Sequence, residues 1–179
     1  MKICGLQKTT LLDYPGRVAC TVFTGGCNFR CPFCHNASLV LDQDNHTSVL
    51  AEDFFSFLQK RRGILDGVCI TGGEPLLQRD IADFLYQVKS LGYEVKLDTN
   101  GSFPHCLKEL VREGLVDYVA MDIKSSPAHY GKAAGVDSFA FATIKQSIDF
   151  LLTEPVDYEF RTTVVKGLHD AIILQDAAA

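Results

Sequence analysis

The sequence predicts an α/β protein on a parallel sheet, folded as a single domain over residues 1–179. Two observations predict it. Five short apolar runs alternate with stretches whose apolar residues recur at helical spacing. A helix between two strands returns the chain to the same edge of the sheet, so such strands pair in parallel. A third observation says where a site would lie. Ionisable or metal-binding residues follow each apolar run, and ligands of parallel α/β folds gather at the C-terminal ends of the strands. Periodicity leaves two architectures open: a (βα) barrel, complete or partial, and an open doubly wound sheet.

In chain order, residues 1–17 carry turn chemistry, clearest in Asp13-Tyr14-Pro15-Gly16. Val18 to Thr24 reads as a buried strand, and a cysteine-rich loop follows. The polar stretch Asp42 to Ser48 offers a serine or threonine as a helix cap. Leu50, Phe54, Phe57 and Leu58 then recur at helical spacing, with Gly63 as the stop. Val68 to Thr71 is a second strand. Asp80 opens a helix carrying Ile81, Phe84, Leu85 and Val88, which stops at Gly92. Glu94 to Asp98 is a third strand, and Pro104 to Glu113 a helix ended by Gly114. Tyr118 to Ile123 is a fourth strand. Phe141 to Leu152 is a helix with Ile144, Ile148 and Leu151 on one face. Tyr158 to Val165 is a fifth strand.

Composition narrows the function classes. A hydrophobic fraction of 47% supplies an ordinary soluble core. A net charge of −5 argues against a phosphate-neutralising surface and hence against nucleic acid. No apolar run is long enough for a membrane span, and Met1 to Gly5 lacks the apolar core of a secretory signal. Seven cysteines, an odd number, fit reduced thiols in the cytoplasm better than a disulfide scaffold. Cys20 and Cys69 sit inside apolar runs as small buried hydrophobes; Cys4 and Cys106 have no assigned partner.

The chemistry concentrates in Cys27-Asn28-Phe29-Arg30-Cys31-Pro32-Phe33-Cys34-His35, a C-x3-C-x2-C spacing preceded by Gly25-Gly26. Three close thiolates suit one metal centre. A four-iron cluster takes one thiolate per iron, so three leave one iron open to a ligand. The alternative is structural zinc with His35 as fourth ligand. Zinc sites usually draw ligands from two separated pairs, and this chain has no second pair.

The other strand ends add Thr71-Gly72-Gly73-Glu74-Pro75, Asp98-Thr99-Asn100-Gly101, Asp122-Ile123-Lys124 and Arg161. Gly72 and Gly73 would allow close backbone approach to a ligand, and Glu74 would accept from an ammonium. Each of these also has a plainer reading, as a turn, a helix cap or a surface charge. Arg161, inside an apolar run, must be paired, either with a carboxylate of the fold or with a ligand. His46, His105, His129 and His169 read as exposed.

The cysteine spacing, with an aromatic residue before the last cysteine, resembles the radical S-adenosylmethionine (SAM) superfamily, and Gly72-Gly73-Glu74-Pro75 matches its second signature in the right order. The resemblance implies a partial (βα) barrel of that type. It implies a [4Fe-4S] cluster on Cys27, Cys31 and Cys34, with SAM on the fourth iron, Phe33 near the adenine and Gly72 to Glu74 at the SAM amino group. Asp98 and Asp122 look like the strand-end aspartates of glycyl-radical-enzyme activases, which implies a monovalent cation between them, helped by the Ala120 carbonyl. Lys124 and Arg161 would be anion partners at the same rim. Thr10 to Arg17 and Phe23 to Asn36 look like the anaerobic ribonucleoside-triphosphate reductase activating proteins, over about residues 9 to 170. That family implies an electron from flavodoxin or ferredoxin, reductive cleavage of SAM, and hydrogen abstraction from a glycine of a partner reductase. A rival within the superfamily acts on a small molecule, as carboxy-deazaguanine synthases do. A rival outside it is a non-catalytic zinc or iron–sulfur module. Family members continue after Asp170 with a helix and a sixth strand, whereas here Ala171 to Ala179 is alanine-rich, so the sixth unit is expected to be missing or truncated.

Overall fold

The computed structural model describes residues 1–41, 48–137 and 140–178. Its centre is one six-stranded sheet in the order β1-β2-β3-β4-β5-β6. The strands are β1 (Ile3–Thr10), β2 (Ala19–Thr24), β3 (Gly67–Gly72), β4 (Glu94–Thr99), β5 (Tyr118–Asp122) and β6 (Asp157–Arg161). β2 to β6 pair in parallel and β1 runs antiparallel to β2. The sheet does not close; β1 and β6 are its edges. This is the α/β, mostly parallel architecture that the alternation of runs predicts, in its unclosed form.

The helices are α1 (Ala37–Leu41), α2 (Ala51–Lys60), α3 (Ile81–Ser90), α4 (Pro104–Arg112), α5 (Tyr130–Ala134), α6 (Phe141–Leu151) and α7 (Ala171–Ala178). The crossover helices bury most of the residues their periodicity marks; Phe57 and Ile148 are only partly buried, and Leu50, just ahead of α2, is exposed. α3 buries Ile81, Phe84, Leu85 and Val88; α6 buries Ile144, Phe150 and Leu151. α2 has Glu52 and Asp53 in its first turn and Lys60 in its last, which complements the helix dipole. In β3, consecutive Val68, Cys69 and Ile70 are all fully buried, so both faces of the central strand are covered. Cys20 and Cys69 lie in the core as expected.

Two expectations need correction. Residues 1–17 contain a whole strand, β1, as well as the expected turn. It is an edge strand with Gln7, Lys8 and Thr9 exposed, so it carries little hydrophobic signal. The last strand stops at Arg161, four residues short of the expected Val165. As expected for the last unit, no sixth parallel strand follows β6 among the described residues; the alanine-rich segment forms α7, which buries no residue. His46 and nearly all of the polar stretch from Asp42 lie outside the described residues. Among the described residues no helix is long and apolar enough to cross a membrane.

Candidate active site

Parallel register brings the strand ends together. Thr24 at the end of β2 lies opposite Gly72 of β3, Thr99 of β4 opposite Met121 of β5, and Asp122 opposite Arg161. The residues that follow border one cleft of about 580 Å³, within the usual size of a small-molecule site.

The cysteine loop is fixed by backbone bonds that do not involve sulfur. Gly26 N–H donates to the Leu39 carbonyl (2.9 Å) and Arg30 N–H to the Ala134 carbonyl (2.8 Å). Phe29 is buried and meets the Tyr130 ring edge-on at 6.4 Å. Cys34 N–H closes a turn onto the Cys31 carbonyl (3.1 Å). Cys27, Cys31 and Cys34 are free, half-buried and face the cleft. Burial pushes the Cys27 and Cys31 thiols up, while the Lys124 ammonium pulls both down. Among the described residues no three His, Cys, Asp or Glu side chains are grouped to hold one metal ion. That is compatible with a cluster, whose thiolates sit on separate irons. As a donor set, three free thiols on one loop facing a cleft fit a [4Fe-4S] cluster. Asn36, which had no independent role from sequence, donates from Nδ2 to the Gly72 carbonyl (2.9 Å) and ties the loop to β3.

Gly72 and Gly73 line the cleft, but the close approach that requires them is to this chain's own backbone. Gly73 N–H donates to the Thr24 carbonyl (2.9 Å) and Glu74 N–H to the Gly26 carbonyl (2.8 Å). A Cβ on Gly73 would sit 1.8 Å from the Gly26 oxygen, and one on Gly72, at φ +114°, would sit 2.4 Å from Thr24 backbone atoms. The glycine pair clips the cysteine loop to β3.

The expectation that the Glu74 side chain accepts from a ligand ammonium is corrected. Glu74 is fully buried and its carboxylate accepts from Leu76 N–H (3.1 Å), Thr99 Oγ1 (2.8 Å) and Asn100 N–H (2.7 Å). Burial raises its pKa to about 7 against those three donors. In that window the folded state binds a proton that the unfolded state releases. Stability from this group is therefore full below the ordinary carboxylate range and falls as pH rises towards 7. Glu74→Gln should remove this slope. It should also turn an amide N–H towards a backbone donor and destabilise the fold by about 1–3 kcal/mol. Denaturant unfolding of both proteins between pH 5 and 8 checks this; equal stability and equal slopes would count against it.

Across the rim, opposite charges stand two residues apart on or just beyond three adjacent strands: Lys96 and Asp98 in β4, Asp122 at the end of β5 with Lys124 after it, and Glu159 and Arg161 in β6. Lys96, only 2% exposed, meets Asp98 at 2.6 Å and Glu159 at 3.8 Å. Arg161 lies between the two aspartates, with Nε 3.0 Å from Asp122 and a terminal nitrogen 3.5 Å from Asp98. Lys124 pairs with Asp122 at 2.9 Å. Burial opposes the charges on Lys124 and Arg161, but the facing carboxylates outweigh it and raise both pKa values. Asp98 and Asp122 thus share Arg161 as a partner. Arg161 already offsets their repulsion, the role foreseen for a monovalent cation. Ala120, foreseen as a carbonyl ligand, lies inside the sheet opposite Asp98 and Glu159. Lys96 was missed, although a lysine between Val95 and Leu97, two residues from an aspartate, was a readable signal.

His169 is half-buried, which corrects its reading as exposed. Val165 N–H donates to its Nδ1 (3.0 Å), so Nε2 carries the proton and donates to the Lys124 carbonyl (2.8 Å). Its ring meets Phe33, which lines the cleft, edge-on at 6.3 Å. His105 and His129 are exposed.

Residues 21–176 match the family model described as the radical SAM superfamily. A Methanocaldococcus jannaschii protein named provisionally as a glycyl-radical enzyme activating enzyme is 32% identical over 98% of this chain and 73% of its own length. A protein of Thermococcus kodakarensis, named provisionally as a GTP 3',8-cyclase, is 31% identical over 84% of this chain. The chain spans 48% of that relative's length. Among solved structures, TYW1 with a lysine-pyruvate adduct aligns over 89% of this chain (TM-score 0.59, 14% identity). Native anSMEcpe with bound AdoMet aligns over 76% (TM-score 0.57, 19% identity). Both likenesses are of fold.

Proposed function

The chain belongs to the radical SAM superfamily, and from that premise we propose that it is an activase generating a glycyl radical on a partner enzyme, with anaerobic ribonucleotide reductase as that partner. The observation that carries the reading is the match along 98% of the chain to a relative named for glycyl-radical enzyme activation. Enzymes of this superfamily use a [4Fe-4S] cluster and SAM; the bound pair supplies one-electron reductive cleavage of the sulfonium bond and a 5′-deoxyadenosyl radical.

Apart from the bracing by His169, each residue role proposed here belongs to a group that borders the cleft. Cys27, Cys31 and Cys34 hold the cluster. Lys124 and Arg161 are the cations that face an incoming carboxylate, and Asp98 and Asp122 keep them charged and aimed. Phe33, braced by His169, gives an apolar face for a base. Gly72 and Gly73 hold the cysteine loop against the strand end. The electron donor is a flavodoxin or ferredoxin. The cytoplasm, where thiols stay reduced, suits seven unpaired cysteines.

The test is anaerobic incubation of the reconstituted protein with SAM, reductant and the candidate reductase. A glycyl radical should appear by electron paramagnetic resonance only when all are present. A second reading, a radical SAM enzyme acting on a small molecule, draws on the cyclase relative. It predicts SAM consumption that depends on a nucleotide such as GTP and is indifferent to the reductase. That outcome would replace the activase reading.

A further inference from the structure

We propose that Asn100 donates a hydrogen bond from its side-chain amide to the Cys27 sulfur and thereby raises the reduction potential of the centre that the cysteine loop holds. This deepens the cluster reading above and rests on it. Asn100 follows β4 and is only 6% exposed. Its Nδ2 lies 3.7 Å from Cys27 Sγ and 2.9 Å from Asn28 Oδ1.

The direction of the amide is decided by its other end. Asn100 Oδ1 accepts from Ser102 N–H (2.9 Å) and from Ser102 Oγ (2.5 Å). A backbone N–H can only donate, so the atom facing it must be the amide oxygen, and the NH₂ group must face the sulfur. Asn28 closes the ring by donating from Nδ2 to Ser102 Oγ (2.8 Å). Asn100 is itself anchored through its own N–H on the buried Glu74 carboxylate (2.7 Å).

The three cysteines are unequal in this respect. Cys27 Sγ accepts from Phe29 N–H (3.3 Å) and from Asn100. Among the described residues neither Cys31 nor Cys34 accepts from a side-chain amide. Hydrogen bonds to cluster sulfurs are one of the levers that set reduction potential. Reduction adds negative charge, which a donor stabilises more in the reduced than in the oxidised state. Asn100 is therefore a positioning and tuning residue for the reduced centre.

Two measurements on the reconstituted full-length protein, without SAM or partner, test this. The first is redox titration followed by electron paramagnetic resonance. Asn100→Leu, which lacks the donor, should lower the reduced-to-oxidised ratio at a fixed potential by about tenfold, the scale of one charge-assisted hydrogen bond. That equals a downward shift of about 59 mV for one electron. Asn100→Asp keeps the size and the acceptor for Ser102 but turns an oxygen towards the sulfur, and should shift further the same way. The second uses wild-type protein labelled with nitrogen-15 in asparagine side chains, and should show hyperfine coupling of that nitrogen to the reduced cluster. Iron-loaded variants with the wild-type potential, or iron-loaded wild type without the coupling, would overturn the inference. A wild-type protein that takes up no iron would overturn the cluster reading itself, and this inference with it.

Discussion

Cys31→Ala is expected to be colourless after anaerobic reconstitution and to cleave no SAM. Cys31 is the middle thiol of the loop, half-buried beside the α5 end, with its sulfur 3.8 Å from the Ala134 carbonyl. No spare thiol stands nearby to replace it. Cys4, Cys20 and Cys69 are buried in β1, β2 and β3, and Cys106 lies in α4. Two remaining thiolates cannot fill the three iron positions that a cluster with one open iron requires. The loss of cleavage should be at least about a thousandfold, since the chemistry belongs to the cofactor and the protein offers no substitute for it. The fold should survive, because the loop is anchored through Gly26 and Arg30. Iron and sulfide assays, SAM turnover and thermal unfolding measured together check all three statements. Full cluster content in the variant would remove Cys31 from the ligand set.

Gly73→Ala is expected to be the most damaging methyl group that can be added to the rim. The new Cβ would meet the Gly26 oxygen at 1.8 Å and its carbonyl carbon at 2.6 Å, and both are backbone atoms that no rotamer change can clear. The two loops must part, which breaks the Glu74-to-Gly26 and Gly73-to-Thr24 hydrogen bonds. Two lost bonds and the overpacking together cost about 3 kcal/mol. In a chain of this size that lowers Tm by roughly 10 °C. Iron uptake should fall with it, since Gly26 leads into Cys27. Gly92→Ala is the comparison. Gly92 also has positive φ (+89°) but nothing within 4 Å of its added Cβ, so the variant should cost only about 1–2 kcal/mol and keep its iron. A Gly73→Ala protein with wild-type Tm and iron would show that the clip is dispensable.

The parallel strands were legible because they are buried on both faces and punctuated by glycine. Cys69 and its neighbours could hardly be anything else, and Gly92 and Gly114 marked the helix ends closely. β1 was not legible, because an edge strand with one polar half lacks the pattern that burial imposes. α1 and α5, five residues each, are too short for any periodicity. At the site, chain order alone located the cysteines and the strand ends. What each side chain faces could not be read that way. Glu74 points into the core because two backbone N–H groups need an acceptor there. Arg161 offered a carboxylate or a ligand as partner, and the answer depended on Asp98 and Asp122 arriving from different strands. His169 was invisible because its two partners, Val165 N–H and the Lys124 carbonyl, are main-chain groups.

The main-chain fastening of the thiol loop separates two kinds of damage. Oxygen that strips a cluster held as proposed would attack sulfur and iron, yet the bonds from Gly26, Arg30 and Glu74 that shape the loop involve neither. A bleached molecule should thus keep its scaffold and wait for repair by iron and sulfide alone, with no refolding step in between.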